Sequence, residues 1–175
     1  MTNFIDELHY KPTLTDMTIQ PLEIEHARQI CDWHYAEPYD LYKWPSWDKM
    51  QKDEIEFGDP VLRRMQYAAV VNREQKLIGF AQFFPIIGVT RLGLGLHPAL
   101  CGRGIGTDFT LLLVREAFRR APQNSVDLEV LSWNHRAIRV YERAGFVIDD
   151  TYVKKTPEGP AEFHCMVYKS NPSYA

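Results

Sequence analysis

Apolar residues recur along this chain with two periods, and the two periods divide it into strands and helices. Alternation marks half-buried strands, while recurrence every three to four residues marks amphipathic helices. A first strand is predicted over Asp16–Gln20, and Pro21 suits the first turn of a helix, where its missing N–H is no loss. Ile24, Ala27, Ile30 and Cys31 then continue at helical spacing. "QYAAVVNREQKLIGFAQFFPI" reads as two strands joined by a turn around Asn72–Lys76. In "TRLGLGLHP", Leu92, Leu94 and Leu96 alternate with Gly93 and Gly95, so one strand face is leucine and the other bare backbone. Such glycines mark close approach by a ligand or by another backbone.

The following helix carries its apolar stripe on Ile105, Phe109, Leu112, Leu113 and Ala117. "VDLEVLSW" is a strand. Asn134 is placed to cap a helix that buries Ala137, Ile138 and Tyr141, and Gly145 sits where a left-handed C-terminal cap belongs. "FVIDDTYVKK" and "EFHCMVYKS" close the chain as a hairpin around "TPEGPA". The predicted order is β-α-(α)-β-β-β-α-β-α-β-β, a mixed α/β fold. At 175 residues it is expected to form a single domain over 1–175, long enough to bury about 70% of the surface of its unfolded chain.

Composition narrows the function classes. A net charge of −3 gives no electrostatic footprint for nucleic acid, although a local basic spot for a small anion remains open. The three cysteines, Cys31, Cys101 and Cys165, are an odd number without framework spacing, which points to a reducing, cytoplasmic setting. The first sixteen residues lack the basic and apolar regions of a signal peptide. No apolar run approaches the ~20 residues of a membrane span, so no membrane association is expected. Cys31 and His34 are spaced like half a metal site, but no second half follows, and no metal is expected.

The run "LHPALCGRGIGTDFTLLLV" puts Gly102, Gly104 and Gly106 at the mouth of a helix. A helix N-terminus presents unpaired N–H groups and about half a positive charge, and glycines let an anion approach them. Arg103 adds a full charge. A phosphate cradle and a turn needed only for strand-to-helix geometry are both open on spacing alone. No Lys-Ser or Lys-Thr follows, so a Walker-type loop is absent, and the glycines do not make a dinucleotide fingerprint.

"LHPALCGRGIGTDF" followed by "LEVLSWNHRAIRVYERAGF" resembles the GNAT superfamily of N-acetyltransferases. That family's pyrophosphate loop, Gln/Arg-x-x-Gly-x-Gly/Ala, maps onto Cys101-Gly102-Arg103-Gly104-Ile105-Gly106, with Cys101 in place of the usual Gln or Arg. The resemblance covers Asp16 to Tyr168. It implies a mixed, mostly antiparallel sheet with flanking helices, and acetyl-CoA as co-substrate. Its pyrophosphate would lie on Cys101, Gly102, Arg103, Gly104, Ile105, Gly106 and Thr107. By the same resemblance Leu94 and Leu96 pair their backbone with the pantetheine arm beside a strand, Asp127–Leu131, that splays away. Asn134 would reach that arm and Tyr141 would lie near the thioester sulfur.

Acyl transfer needs a neutral amine. Losing the proton of a lysine-like amine costs roughly 4 kcal/mol at about pH 7.4, against well under 1 for an α-amine. Glu129, matching the "LEV" glutamate proposed as base in ribosomal-protein N-terminal acetyltransferases, is the candidate base; its alternative is an ordinary strand carboxylate in a salt bridge. Tyr141 is the candidate acid for the leaving thiolate. His97 is an alternative base, and Cys101 a candidate nucleophile without a matching histidine and acid pattern. "WHYAEPYDLYKWPSW" either clasps a cationic acceptor with aromatics and carboxylates or anchors a loop on the core. The expected activity is acetyl transfer from acetyl-CoA to a primary amine of a small molecule, peptide or protein, by a monomer or homodimer. A non-catalytic acyl-CoA sensor and a nucleotide-binding protein are the competing readings.

Overall fold

A computed structural model describes residues 13–169; the N-terminal stretch read for a signal peptide lies mostly outside the described residues. Among the described residues the strands are β1 (Thr18–Pro21), β2 (Tyr67–Val71), β3 (Leu77–Ile86), β4 (Val89–Leu96), β5 (Ser125–Leu131), β6 (Phe146–Thr156) and β7 (Gly159–Tyr168). The helices are α1 (Ile24–Cys31), α2 (Trp47–Lys52), α3 (Pro60–Gln66), α4 (Gly106–Arg120) and α5 (His135–Ala144). The strands form one seven-stranded sheet in the order β1-β2-β3-β4-β5-β7-β6. β1–β2, β2–β3, β5–β7 and β6–β7 are antiparallel, and β4–β5 is parallel. This is the mixed, mostly antiparallel α/β architecture expected.

The chain divides into two compact units. Among the described residues, one comprises those up to Gln82 together with Leu94–Ile105. Its core gathers Ile30, Trp33, Trp47, Met50, Phe57, Tyr67 and Phe80, so most of the aromatic stretch after α1 serves packing. The other comprises Phe83–Gly93 and the described residues from Gly106 onward. There β5 buries Val126, Leu128 and Val130 on one face. The period of two therefore sends Asp127 and Glu129 to the opposite face.

Local chemistry explains the boundaries. Asn134 caps α5 by accepting from the amide of Ala137 at 3.2 Å, and Gly145 ends it with φ +104°. Asp59 accepts from the amides of Val61 and Leu62 and Pro60 opens α3, a cap signal the periodicity reading passed over. Pro21 is not in a helix: it is the last residue of β1, opposite Ala68. β1 is an edge strand, and an edge tolerates a residue without a donor. Asp16 lies in a short 3₁₀ turn ahead of β1, paired with Arg73 at 2.6 Å. On α4 Phe109, Leu113 and Ala117 are buried as expected, Leu111 and Val114 are buried as well, and Leu112 is only half-buried; on α5 Ala137 and Tyr141 are half-buried rather than core. Among the described residues no helix is long and apolar enough to cross a membrane.

Candidate functional site

β4 ends at Leu96 and the chain then turns twice. The His97 imidazole accepts from the amide of Ala99 at 3.1 Å, and Cys101 N–H donates to the Pro98 carbonyl at 3.2 Å. Arg103 N–H donates to the Leu100 carbonyl at 3.3 Å. Two loop amides are thus taken by turns, and those of Gly102 and Gly104 are not among them. Gly102 and Gly104 have φ of +77° and +76°, a left-handed backbone that favours glycine. A Cβ built on Gly102 meets nothing within 4 Å, so that side of the loop is open. Ile105 is fully buried and anchors the loop. Gly106 has a different job: a Cβ there would come within 3.1 Å of Val140, so its bareness lets α5 pack against the start of α4.

Gly95 also serves packing. A Cβ on it would fall 2.2 Å from Cε1 of Phe80, so the Phe80 ring fills what the alternation presented as bare backbone. The end of β4 is fixed further by a residue that no local pattern singles out as a hydrogen-bond donor. The Tyr35 hydroxyl donates to the Leu96 carbonyl at 2.9 Å. The Cys101 thiol turns back toward the carbonyls of Leu96 and His97, at 3.9 and 3.7 Å, rather than outward as a nucleophile would. His97 packs edge-on against Trp33, and burial lowers its pKa, which favours the neutral ring. With Nδ1 accepting from Ala99, the neutral ring carries its proton on Nε2, which leaves it poorly suited to act as a base.

The parallel β4–β5 ladder runs from Val89 opposite Ser125 to Leu92 opposite Leu128. On the polar face of β5, Arg91 grips Asp127 with two hydrogen bonds, at 3.0 and 2.6 Å. Its Nη1 lies 3.1 Å from Glu129 Oε1. The Tyr152 hydroxyl donates to the same Glu129 oxygen, and the Lys154 ammonium pairs with the other. Lys154 also sits 4.3 Å from the centre of the Phe163 ring. Burial pushes the Glu129 carboxyl up, but hydrogen bonds from Lys154 and Tyr152 and the charges of Lys154 and Arg91 outweigh it, holding its pKa below the ordinary carboxylate range. Cys165, beside Asp127 at 3.5 Å, is pushed up to about 11, first by burial and then by that carboxylate. Register explains why no linear reading found this cluster: Glu129 faces Cys165 across β5–β7, and Tyr152 faces Phe163 across β6–β7.

Asn134 and Tyr141 lie on α5, seven residues apart and so nearly on one face. Asn134 is buried with its Oδ1 on the helix cap, and Tyr141 packs obliquely near Phe146 at 6.2 Å. In the aromatic stretch, Trp33 and Trp47 are core, Trp44 and Tyr35 pack on that core, and Tyr42 is exposed. That favours the loop-anchoring reading for the tryptophans. Cys31 is buried, with its thiol pushed up to about 11 by burial and then by Asp32, and the His34 ring bonds the Asp32 carbonyl. Among the described residues no three His, Cys, Asp or Glu side chains stand together as metal ligands.

A family model described as the acetyltransferase (GNAT) domain matches residues 16–147, the span holding the glycine loop, β5 and α5. The chain belongs to the GNAT acetyltransferases. As a member it is an acetyl-CoA-dependent N-acetyltransferase whose acceptor is an amine. Solved structures share its fold. One is a chimera of the spermidine N-acetyltransferase SpeG from Vibrio cholerae, 16% identical, with TM-score 0.68 over 87% of this chain and 95% of the other. The V. cholerae enzyme in complex with CoA and spermine is 18% identical, with TM-score 0.65 over 87% and 95%. The same enzyme in complex with manganese ions is 16% identical, with TM-score 0.66 over 88% and 92%. At these identities the likeness to this acetyltransferase is one of fold.

Proposed function

We propose that this acetyltransferase, a single GNAT-like domain, holds the acetyl-CoA pyrophosphate on the loop from Cys101 to Thr107 and acetylates a primary amine that meets Glu129. The observation that carries the reading is the state of the loop: Gly102 and Gly104 are both left-handed, two flanking amides are tied into turns, and the space beside Gly102 is open. That leaves backbone N–H groups and the start of α4 as the donors an anion needs. Ile105 contributes backbone only, its side chain being buried, and Arg103 contributes charge. The pantetheine arm pairs with the backbone of β4 at Leu94 and Leu96, beyond the last β4–β5 pair at Leu92. Tyr35 already occupies the Leu96 carbonyl, so it positions that strand end. Asn134 contributes to holding the arm, and Tyr141 donates the proton to the departing thiolate.

Glu129 needs a distinction. With Lys154 and Arg91 in place, moving a proton onto it from an alkylammonium costs at least about 8 kcal/mol, the ~6-unit gap between ordinary pKa values, whereas bulk water at pH 7.4 takes it for about 4. Glu129 therefore orients the cationic amine first and accepts a proton only once Lys154 has moved aside and the burial that raises its carboxyl is less opposed. Spermine bound to the V. cholerae enzyme gives one example of the acceptor chemistry this fold admits. The three cysteines are reduced thiols, which suits the cytoplasm. Calorimetric titration with acetyl-CoA, against ATP and NAD, tests the cradle: selective binding of acetyl-CoA supports it, and equal or tighter binding of ATP sinks it. Release of CoA on adding a panel of amines then tests transfer.

A further inference from the structure

We propose that Glu129, Tyr152 and Phe163 form a seat for an alkylammonium group, which Lys154 of the same chain fills until the acceptor's cation displaces it. The proposal rests on the reading that the acceptor meets Glu129 and adds what stands there in the resting protein.

The cluster separates into a fixed part and an exchangeable part. Arg91 is fixed: Asp127 holds its guanidinium through two bonds, its side chain is only 30% exposed, and Asp127 is buried. Asp127 matches the charge of Arg91, so Glu129 retains most of its demand for a second cation. Lys154 meets that demand through one ammonium contact and one ring, on a flexible stem 42% exposed. Exposed ion pairs of this kind contribute little to folding, because water screens them and the long side chain loses rotamer freedom. The same groups nevertheless define a recognisable site: a carboxylate oriented by a tyrosine hydroxyl, beside an aromatic face, is the chemistry that selects an ammonium ion. Lys154 is itself a primary alkylammonium, so its place marks where another would bind.

The test uses n-butylamine, a monocation with the length of the lysine stem, and NMR titration of the Tyr152 and Phe163 ring protons. Lys154→Met keeps an apolar stem while opening the seat, and Lys154→Gln is a second opening variant; thermal melts check both for folding. Each is expected to bind n-butylamine about five- to tenfold more tightly than the native chain. Adding Glu129→Gln to either should abolish the gain. Unchanged affinity in both opened variants, or a gain that survives Glu129→Gln, overturns the proposal. Acetyl-CoA takes no part in this titration, so failure here leaves the cradle standing. Conversely, loss of the cradle leaves the seat untouched. Whether Glu129 meets the acceptor at all is read separately, from the effect of Glu129→Gln alone on turnover.

Discussion

On the proposed reading, the loop from Cys101 to Ile105 offers a ligand backbone groups, whereas the polar face of β5, β7 and β6 offers side chains brought together from several strands. The loop works by removing atoms: glycines free the backbone to turn left-handed and leave space beside it. The sheet face works by adding them, with Arg91, Asp127, Glu129, Tyr152 and Lys154 matching charge against charge. A backbone device is local and tolerates many neighbours. A side-chain device depends on register, and one displaced strand would dissolve it.

Breaking the sheet face should have the largest effect. Asp127→Asn leaves the half-buried Arg91 guanidinium without its bidentate partner. Discounted for the exposure of Arg91, that costs about 2 kcal/mol, or a fall in Tm of roughly 4–8 °C. Chemical and thermal melts measure it, and a loss below about 0.5 kcal/mol would show that the grip contributes little. Gly95→Ala should cost a comparable ~1–3 kcal/mol by forcing the Phe80 ring aside. Combining it with Phe80→Leu should restore much of that stability; a double variant no better than the single one would mean that the ring is not what the glycine accommodates.

The loop side answers in affinity rather than stability. Gly104→Ala puts a Cβ on a left-handed residue at a cost of about 1–2 kcal/mol. Relief of that strain shifts the loop, so acetyl-CoA should bind roughly 5- to 30-fold more weakly by calorimetry. Undiminished binding would detach the loop from the ligand. Tyr35→Phe removes one hydrogen bond from the end of β4, worth about 1 kcal/mol, and should raise the Kd for acetyl-CoA about three- to fivefold with little change in kcat. An equal fall in kcat at constant Kd would instead place Tyr35 in the chemical step.

The smallest expected effect is in pH dependence. Because the Glu129 carboxyl titrates below its unfolded value, its contribution to stability is present above about pH 4.3 and is lost as pH falls through the folded pKa. The stability difference between the native chain and Glu129→Gln should therefore stay constant from neutral pH down to about 5 and shrink below 4. A difference that grows on acidification would reverse the sign and refute the ion-paired picture.

Legibility followed the same division between backbone and register. The glycine loop, the Asn134 cap, the Gly145 stop, the turn at Asn72–Lys76 and the closing hairpin could all be read from the chain, because each is decided by residues within a few positions of one another. The order of strands and helices was legible for the same reason. Pro21 was misplaced because helix starts and edge strands both accept a residue without a donor, and only the pairing opposite Ala68 distinguishes them. Gly95 was read as bare backbone approached by a ligand or another backbone, whereas the Phe80 ring, fifteen residues earlier, fills the space. Glu129 was visible as a candidate, but not its cations: Arg91 lies 38 residues before it and Lys154 25 residues after, and nothing local links the three.

By itself, then, the sequence determined the order of strands and helices in a mixed α/β fold and that a glycine-rich turn opens one of those helices. Those features rest on backbone conformation and short-range capping, which nearest neighbours dictate. Only the tertiary structure decided that Tyr35 holds the end of β4, that Phe80 stands in for the missing side chain of Gly95, and that Glu129 is held between an arginine and a lysine. These depend on strand register and core packing, which bring distant residues within a few ångströms and so decide which charges meet.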